Sequence, residues 1–191
     1  MEAGETRIRS FIAVEIPDSI RNSLWESTAP LRKSLAAVKW VEKENLHVTL
    51  KFLGNLAPED LKKATLVLEE IIPHWKPFLV TIGRWGAFPT IKRPRVIWLG
   101  IQSEEDRLSD MTQSVEKSLT QIGFQPEEKG IHLHLTLGRF RKAVDLTGRL
   151  EGEVSDLSYQ FECQWVTLFQ SKLSSRGPTY IPLEKIWLKS S

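Results

Sequence analysis

Two short runs of this chain carry the residues best suited to chemistry. His47-Val48-Thr49-Leu50 lies in ENLHVTLKFLGN, and His134-Leu135-Thr136-Leu137 lies in IHLHLTLGRFRK. Each is His-x-Thr-x within an apolar, β-favouring stretch. Side chains alternate between the faces of a strand, so the His and Thr of one copy point the same way. Each copy therefore presents an imidazole and a hydroxyl on a single face. Two such dyads around one site can move a proton on either side of a phosphorus centre. A neutral imidazole takes a proton from attacking water, and a protonated one gives a proton to the departing alkoxide. A histidine pKa of about 6.5 makes both forms accessible near neutral pH. The threonine hydroxyls can hydrogen-bond the non-bridging oxygens, where charge develops. None of these steps requires a metal or a nucleotide cofactor, and neither is expected.

The elements that position the dyads follow from periodicity and punctuation. Residues 8–16 read as a strand, ended by Pro17. Ile20, Leu24, Leu31 and Leu35 recur at helical spacing in the next segment, which Pro30 kinks or splits. Strand material follows up to Gly54. A helix opens at Ala57-Pro58-Glu59-Asp60 and runs to Pro73. FLVTIGRWGAF and RVIWLGIQ are two strands joined by PTIKRPR. Ser103 is placed to cap a further helix, with Glu104, Glu105 and Asp106 in its first turn and Gly123 as its stop. IHLHLTLGRF is the strand of the second motif. YQFECQWVTLFQSKLS and TYIPLEKIWLK are late strands joined at the turn SRGP.

Several strands are adjacent without an intervening helix, which argues against a purely parallel, doubly wound sheet. The expected class is α+β: two pseudo-symmetric α/β lobes with mostly antiparallel sheets facing a central cleft. One His-x-Thr-x strand belongs to each lobe, as an ancient duplication would leave them. Residues 1–191 are read as a single two-lobed domain.

Bulk properties exclude little. Apolar residues are 41% of the chain, charged residues 26%, and the net charge is +2. That balance does not mark a nucleic-acid binder by itself, although it permits a local basic patch. The single cysteine, Cys163, rules out an internal disulfide and reads as a small buried hydrophobe. The N-terminal run lacks the apolar core of a secretory signal, and no stretch approaches the about 18 apolar residues that span a bilayer. A cytoplasmic protein without membrane association is expected. No feature suggests assembly, so a monomer with no obligate protein partner is the expected state.

HVTLKFLG followed by HLTLGRF resembles the two-histidine phosphoesterase superfamily. More narrowly, the chain is similar to its bacterial and archaeal RNA 2′,3′-cyclic phosphodiesterases, also called 2′-5′ RNA ligases. RSFIAVEIP, NLHVTLKFLG, FPTIKRPRVIWLGI, HLTLGRF and LFQSKLSSRGPTY match family blocks in order. The resemblance implies a catalytic set of His47, Thr49, His134 and Thr136, with His47 as proton donor and His134 as proton acceptor. Spacing alone cannot assign that direction. It implies an RNA ending in a 2′,3′-cyclic phosphate as partner, hydrolysed to a 2′-phosphate, with ATP-independent 2′-5′ joining as the reverse reaction. Arg139 matches a family arginine and is a candidate phosphate or RNA contact. Leu133 stands where many relatives carry proline. Other readings are a cyclic phosphodiesterase for a small nucleotide or 2′-5′ oligonucleotide, and a non-catalytic RNA- or nucleotide-binding module.

The neighbours of the motifs carry further expectations. Strict alternation turns Arg139 away from His134 and Thr136, unless a bulge at Gly138 or the end of the strand re-aims it. The same alternation places Lys51 on the His47 face, at the cleft edge, and Phe52 in the core. His132-x-His134 has no third metal ligand nearby, so His132 is expected at the cleft rim or in solvent. His74, at the end of a helix, reads as structural or as a dipole partner. Residues 83–95 interleave Trp85 and Phe88 with Arg84, Lys92, Arg93 and Arg95. Single-stranded RNA is bound by such mixtures, although a hairpin with core aromatics and solvated cations would look the same. Tyr180, beyond the Arg176-Gly177-Pro178 turn, is placed either at the border of the site or in strand packing, with packing the expected role.

Overall fold

The computed structural model describes residues 7–128, 130, 132–142, 144–148, 157–175 and 177–189. Strand β1 (Ile8–Glu15) leads into helices α1 (Asp18–Ser27) and α2 (Ala29–Ser34), then β2 (Val38–Trp40) and the first motif strand β3 (His47–Leu56). Helix α3 (Pro58–Ile71) precedes the hairpin of β4 (Phe78–Phe88) and β5 (Val96–Ser103). Helix α4 (Arg107–Gln121) precedes the second motif strand β6 (His134–Phe140). The last strands are β7 (Ser158–Cys163), β8 (Trp165–Ser174) and β9 (Gly177–Trp187).

Pro30 divides the first helical segment as expected, because at the start of α2 its missing N–H has no intrahelical partner to lose. Leu24 and Leu31 bury the inner face of the pair. The start of α4 differs from expectation. Glu104–Asp106 form a 3-10 turn in which Glu105 and Asp106 take positive φ, and the α-helix begins only at Arg107. Ser103 still acts as the cap: its Oγ accepts the Leu108 N–H at 2.9 Å, across that turn.

Among the described residues every strand pairing is antiparallel, in the order β7-β4-β5-β6-β3-β1-β8-β9, with β2 added beside β6. The late run expected as one strand over 159–174 is broken at Gln164 into β7 and β8, which join different parts of the sheet. A one-residue link spans only about 3.5 Å. The sheet must therefore curl until its outer strands converge.

The two motif strands lie side by side at the centre, joined by the single bridge pair Val48↔Leu135. One lobe is β3-β1-β8-β9 and the other is β6-β5-β4-β7. The lobes are not consecutive in sequence. The chain builds β1 and β3 in lobe one, crosses to lobe two for β4 through β7, and returns for β8 and β9. Val48, Leu50, Leu135 and Leu137 face the helices, in one core with Leu24, Leu68, Met111, Val115 and Leu119. Each such side chain contributes about 1.5–3 kcal/mol when fully buried. The opposite face of the central strands is left for the dyads. Among the described residues, no helix is long and apolar enough to cross a membrane.

Candidate active site

Val48 and Leu135 are fully buried, so the residues on either side of each turn to the other face. His47, Thr49, His134 and Thr136 all lie there, each half-buried. Continuing the antiparallel register from Val48↔Leu135 sets His47 across from Thr136 and Thr49 across from His134. The two dyads are thus related by a pseudo-two-fold axis through that bridge.

Both imidazoles are held the same way. His47 Nδ1 donates to the Asn45 carbonyl at 2.7 Å, and His134 Nδ1 donates to the His132 carbonyl at 2.6 Å. A carbonyl only accepts, so each Nδ1 carries the proton and each neutral ring offers Nε2 as a base. Thr49 Oγ1 donates to His47 Nε2 at 3.1 Å. Asn45 is a residue that sequence reasoning missed. Its carbonyl sets the His47 tautomer, and its side-chain Nδ2 donates to the Pro178 carbonyl at 3.0 Å. The tip of the β8–β9 hairpin is thereby tied to the residue that orients His47.

The electrostatics differ between the copies. Burial pushes the His47 imidazole down to about 4, opposed by the Asn45 hydrogen bond and assisted by His134. Its ring lies 4.9 Å from Phe11 and 5.0 Å from Tyr180. Tyr180 therefore borders the site as well as serving its strand, and burial raises its phenol. His134 is lowered chiefly by burial; its bond to the His132 carbonyl works the other way, and the positive charges of His132 and Arg139 lower it further. Phe88 and His132 lie 5.2 and 6.0 Å from its ring. His132 is exposed, as expected, but packs 5.0 Å from Phe88 and 5.1 Å from Trp98 rather than standing free. Trp98 packs against Gly86, where a Cβ would meet the indole at 2.1 Å.

One feature of the backbone reverses several expectations about the neighbours. In β3 the register against β1 slips after Thr49: Ala13 pairs with Thr49, but Ile12 pairs with Lys51. Leu50 is the extra residue of a bulge, so alternation restarts with the opposite sense. Lys51 turns to the helix side rather than the cleft edge. It is buried, with Nζ 2.6 Å from Glu116 Oε2 and 2.9 Å from the Gln125 carbonyl. Phe52 is not in the core; it is 61% exposed on the dyad face, 6.1 Å from Phe11. The second motif repeats the slip. Trp98 pairs with Thr136 but Ile97 pairs with Gly138, leaving Leu137 as the extra residue. Gly138 then takes the helix-side place, where a Cβ would meet Val38 Cγ1 at 2.4 Å. Arg139 turns back to the dyad face, exposed, with its charge felt by both His134 and Tyr180. Phe52 and Arg139 occupy equivalent places, five residues after their histidines.

The remaining candidates divide. Trp85 packs on the core, whereas Phe88 joins the His134 cluster, and Arg84, Lys92, Arg93 and Arg95 are exposed on the β4–β5 hairpin. His74 sits exposed in a 3-10 turn after α3. Cys163 is buried, and burial pushes its thiol up to about 12. Arg176 lies outside the described residues. Among the described residues, no group of three or more His, Cys, Asp or Glu side chains could hold a metal ion.

The family model described as LigT-like phosphoesterase matches the chain twice in succession, over residues 14–98 and 99–180. Among curated proteins, an RNA 2′,3′-cyclic phosphodiesterase of Archaeoglobus fulgidus is 36% identical over 177 residues, covering 91% of this chain and 96% of the relative. Those of Methanothermobacter thermautotrophicus and Bacillus subtilis are each 32% identical, covering 93% and 96% of this chain and 97% and 98% of the relatives. Among solved structures, Escherichia coli LigT complexed with 3′-AMP superposes with a TM-score of 0.77 at 25% identity, covering 95% of this chain and 98% of that one. A Thermus thermophilus protein shares the fold with a TM-score of 0.82 at 23% identity, covering 96% of this chain and all of that one.

Proposed function

The chain belongs to the LigT-like phosphoesterase family, and from that premise we propose that it hydrolyses the 2′,3′-cyclic phosphate at the end of RNA to a 2′-phosphomonoester. The observation that carries this reading is the meeting of two His/Thr dyads on one face of adjacent strands, with both Nδ1 atoms committed to backbone carbonyls. In this reading His134 Nε2 takes a proton from water as its oxygen attacks phosphorus. The bond from phosphorus to O3′ breaks, and His47 gives the proton on its Nε2 to O3′. Thr49 and Thr136 donate to the non-bridging oxygens, where charge accumulates.

Burial keeps the unprotonated form of both rings favoured in the empty cleft, most strongly at His47. The acid therefore acquires its proton with the substrate, whose anionic phosphate favours an imidazolium beside it. Arg139 supplies a fixed positive charge to the same cleft, and Phe52 offers an exposed ring on which a base can stack. With a 5′-hydroxyl in place of water as the nucleophile, the same proton transfers join a cyclic phosphate end to that 5′ end without ATP, the P–O3′ bond again breaking. The reading takes residues 1–191 as one two-lobed domain, and the crossing of the chain between lobes supports this. It also takes the protein to act as a cytoplasmic monomer without an obligate partner, which sedimentation at working concentration checks.

The test is a short RNA ending in a 2′,3′-cyclic phosphate, incubated with protein in EDTA. Wild type should convert it to a 2′-phosphate end. An inactive wild type, or full activity in both His47→Ala and His134→Ala, refutes the reading.

A further inference from the structure

We propose that a strip of side chains running from His47 across lobe one to Trp187 is a subsite for the RNA nucleotides that precede the cyclic phosphate end. The inference rests on the phosphodiesterase reading above and extends it from the reacting group to the polymer. The strip is a cross-strand row. Glu15 pairs with His47. The β1–β8 register, with Ala13 opposite Thr167, brings Trp165 beside Glu15, and Trp165 Nε1 donates to Glu15 Oε1 at 3.1 Å. Trp165 in turn pairs with Trp187 on the edge strand β9. Directly opposed residues share a face, so all four lie on the side of the sheet that carries the dyads. The core side of the same strands is taken by Val166, Leu168, Ile186 and Leu188.

The chemistry of the strip suits a single-stranded polyanion. The two indoles are 4.8 Å apart, and Trp187 is 55% exposed at the rim. Lys185 Nζ lies 4.4 Å over the Trp165 ring and remains partly exposed. The one carboxylate in the row is already engaged: Glu15 Oε1 receives Trp165 Nε1, the Thr167 hydroxyl at 2.5 Å, and Lys185 Nζ at 3.5 Å. The exposed Trp187 ring is thus left as stacking surface, while Lys185 and the donors of Trp165 and Thr167 cover the one negative charge in the row. The direction also agrees. If O3′ departs toward His47, its ribose lies on the lobe-one side, and the strand attached to that ribose leaves over lobe one. Three strand spacings separate β3 from β9, about 14 Å, which is room for a few nucleotides.

The test compares kcat/KM on a mononucleotide 2′,3′-cyclic phosphate with kcat/KM on a short oligoribonucleotide carrying the same terminal nucleotide. Wild type should prefer the oligonucleotide. Trp187→Ala should lower kcat/KM on the oligonucleotide by roughly 5- to 100-fold, the range of one lost base–aromatic stack. The mononucleotide rate should stay unchanged, which also shows that the variant is folded. Trp187→Phe should recover most of the loss, and Lys185→Gln should flatten the salt dependence of the oligonucleotide reaction alone. Equal efficiency of wild type on both substrates, or an equal loss on both in Trp187→Ala, overturns the subsite and leaves the phosphodiesterase reading intact. Failure of wild type on both substrates overturns the two together.

Discussion

His47 and His134 share a motif, a tautomer and a place beside one pseudo-two-fold axis, yet their surroundings differ. Around His47 stand Phe11, Phe169 and Tyr180, none of which changes charge near neutral pH. Around His134 stand Phe88, Trp98 and an exposed histidine, with Arg139 within electrostatic reach. A wall of phenyl rings lowers a histidine by removing water, and this does not respond to pH. Positive neighbours lower it further through charge. Burial is the largest cause at both rings, so two residues that look interchangeable in sequence differ in how far burial lowers them and in which charges add to it: His134 at His47, His132 and Arg139 at His134. That difference is where a donor and an acceptor can be distinguished.

The sharpest test of the pairing is deletion. His47→Ala and His134→Ala should each lower kcat on a cyclic-phosphate RNA by about 10²–10⁴-fold. The double variant should be little worse than either single one, because two groups that act as one unit are not additive. Independent, additive losses would break the idea of a shared proton circuit.

Next in size is the contrast four residues after each histidine. Copy one places Lys51 on the helix side, paired with Glu116 and almost wholly buried; copy two places Gly138 there. Glu116→Ala leaves the ammonium uncompensated and should destabilise the fold by about 3–5 kcal/mol in urea titration. Lys51→Met combined with Glu116→Leu should cost less than Glu116→Ala alone. A negligible effect of Glu116→Ala would mean that Lys51 reaches water, contrary to its burial.

A smaller effect separates the histidines by acid stability. Burial holds the folded-state pKa of His47 at about 4, against 6.5 for the ordinary group. The folded state thus resists a proton that the unfolded chain accepts. Stability present above pH 6.5 is lost as pH falls toward 4, by at most on the order of 3 kcal/mol. Urea midpoints measured across that window should fall less steeply in His47→Gln than in wild type. If His134→Gln flattens the curve more than His47→Gln does, the ranking of the two environments is reversed.

The smallest effect concerns His132. The active form needs one proton shared between the dyads, so kcat/KM should decline as pH rises, with its alkaline limb below the ordinary histidine value. Removing a positive neighbour should move that limb upward in His132→Gln and leave the maximal rate nearly unchanged. An unmoved limb would show that His132 contributes only its backbone carbonyl.

Much of this is legible in the amino-acid sequence, because it depends on local periodicity. The helices around Leu24, Leu68 and Val115 follow from 3.6-residue spacing, and the four dyad residues from spacing of two. Misreadings arise where that spacing breaks. A bulge adds one residue without any sequence mark, so plain alternation assigns Lys51 and Phe52 to each other's faces, while the orientation of Arg139 requires the same device. Gln164 offers no turn signal, so β7 and β8 read as one strand. The aromatic walls are equally hidden, since Phe11, Phe169 and Tyr180 come from three distant strands. Trp165 and Trp187 meet only through hairpin register.

The crossing of the chain between lobes also has a history written into it. The first repeat of the family model carries β3 in lobe one and β4 in lobe two; the second carries β6 and β7 in lobe two and β8 in lobe one. A half-length chain could complete neither sheet alone. It could do so by trading strands with a second copy, which would set two identical His/Thr dyads about a true dyad axis. Fusion of two such copies would preserve the shared site while releasing its halves from identity. The aromatic neighbours of His47, and the aromatic and charged neighbours of His134, are the difference that release allowed.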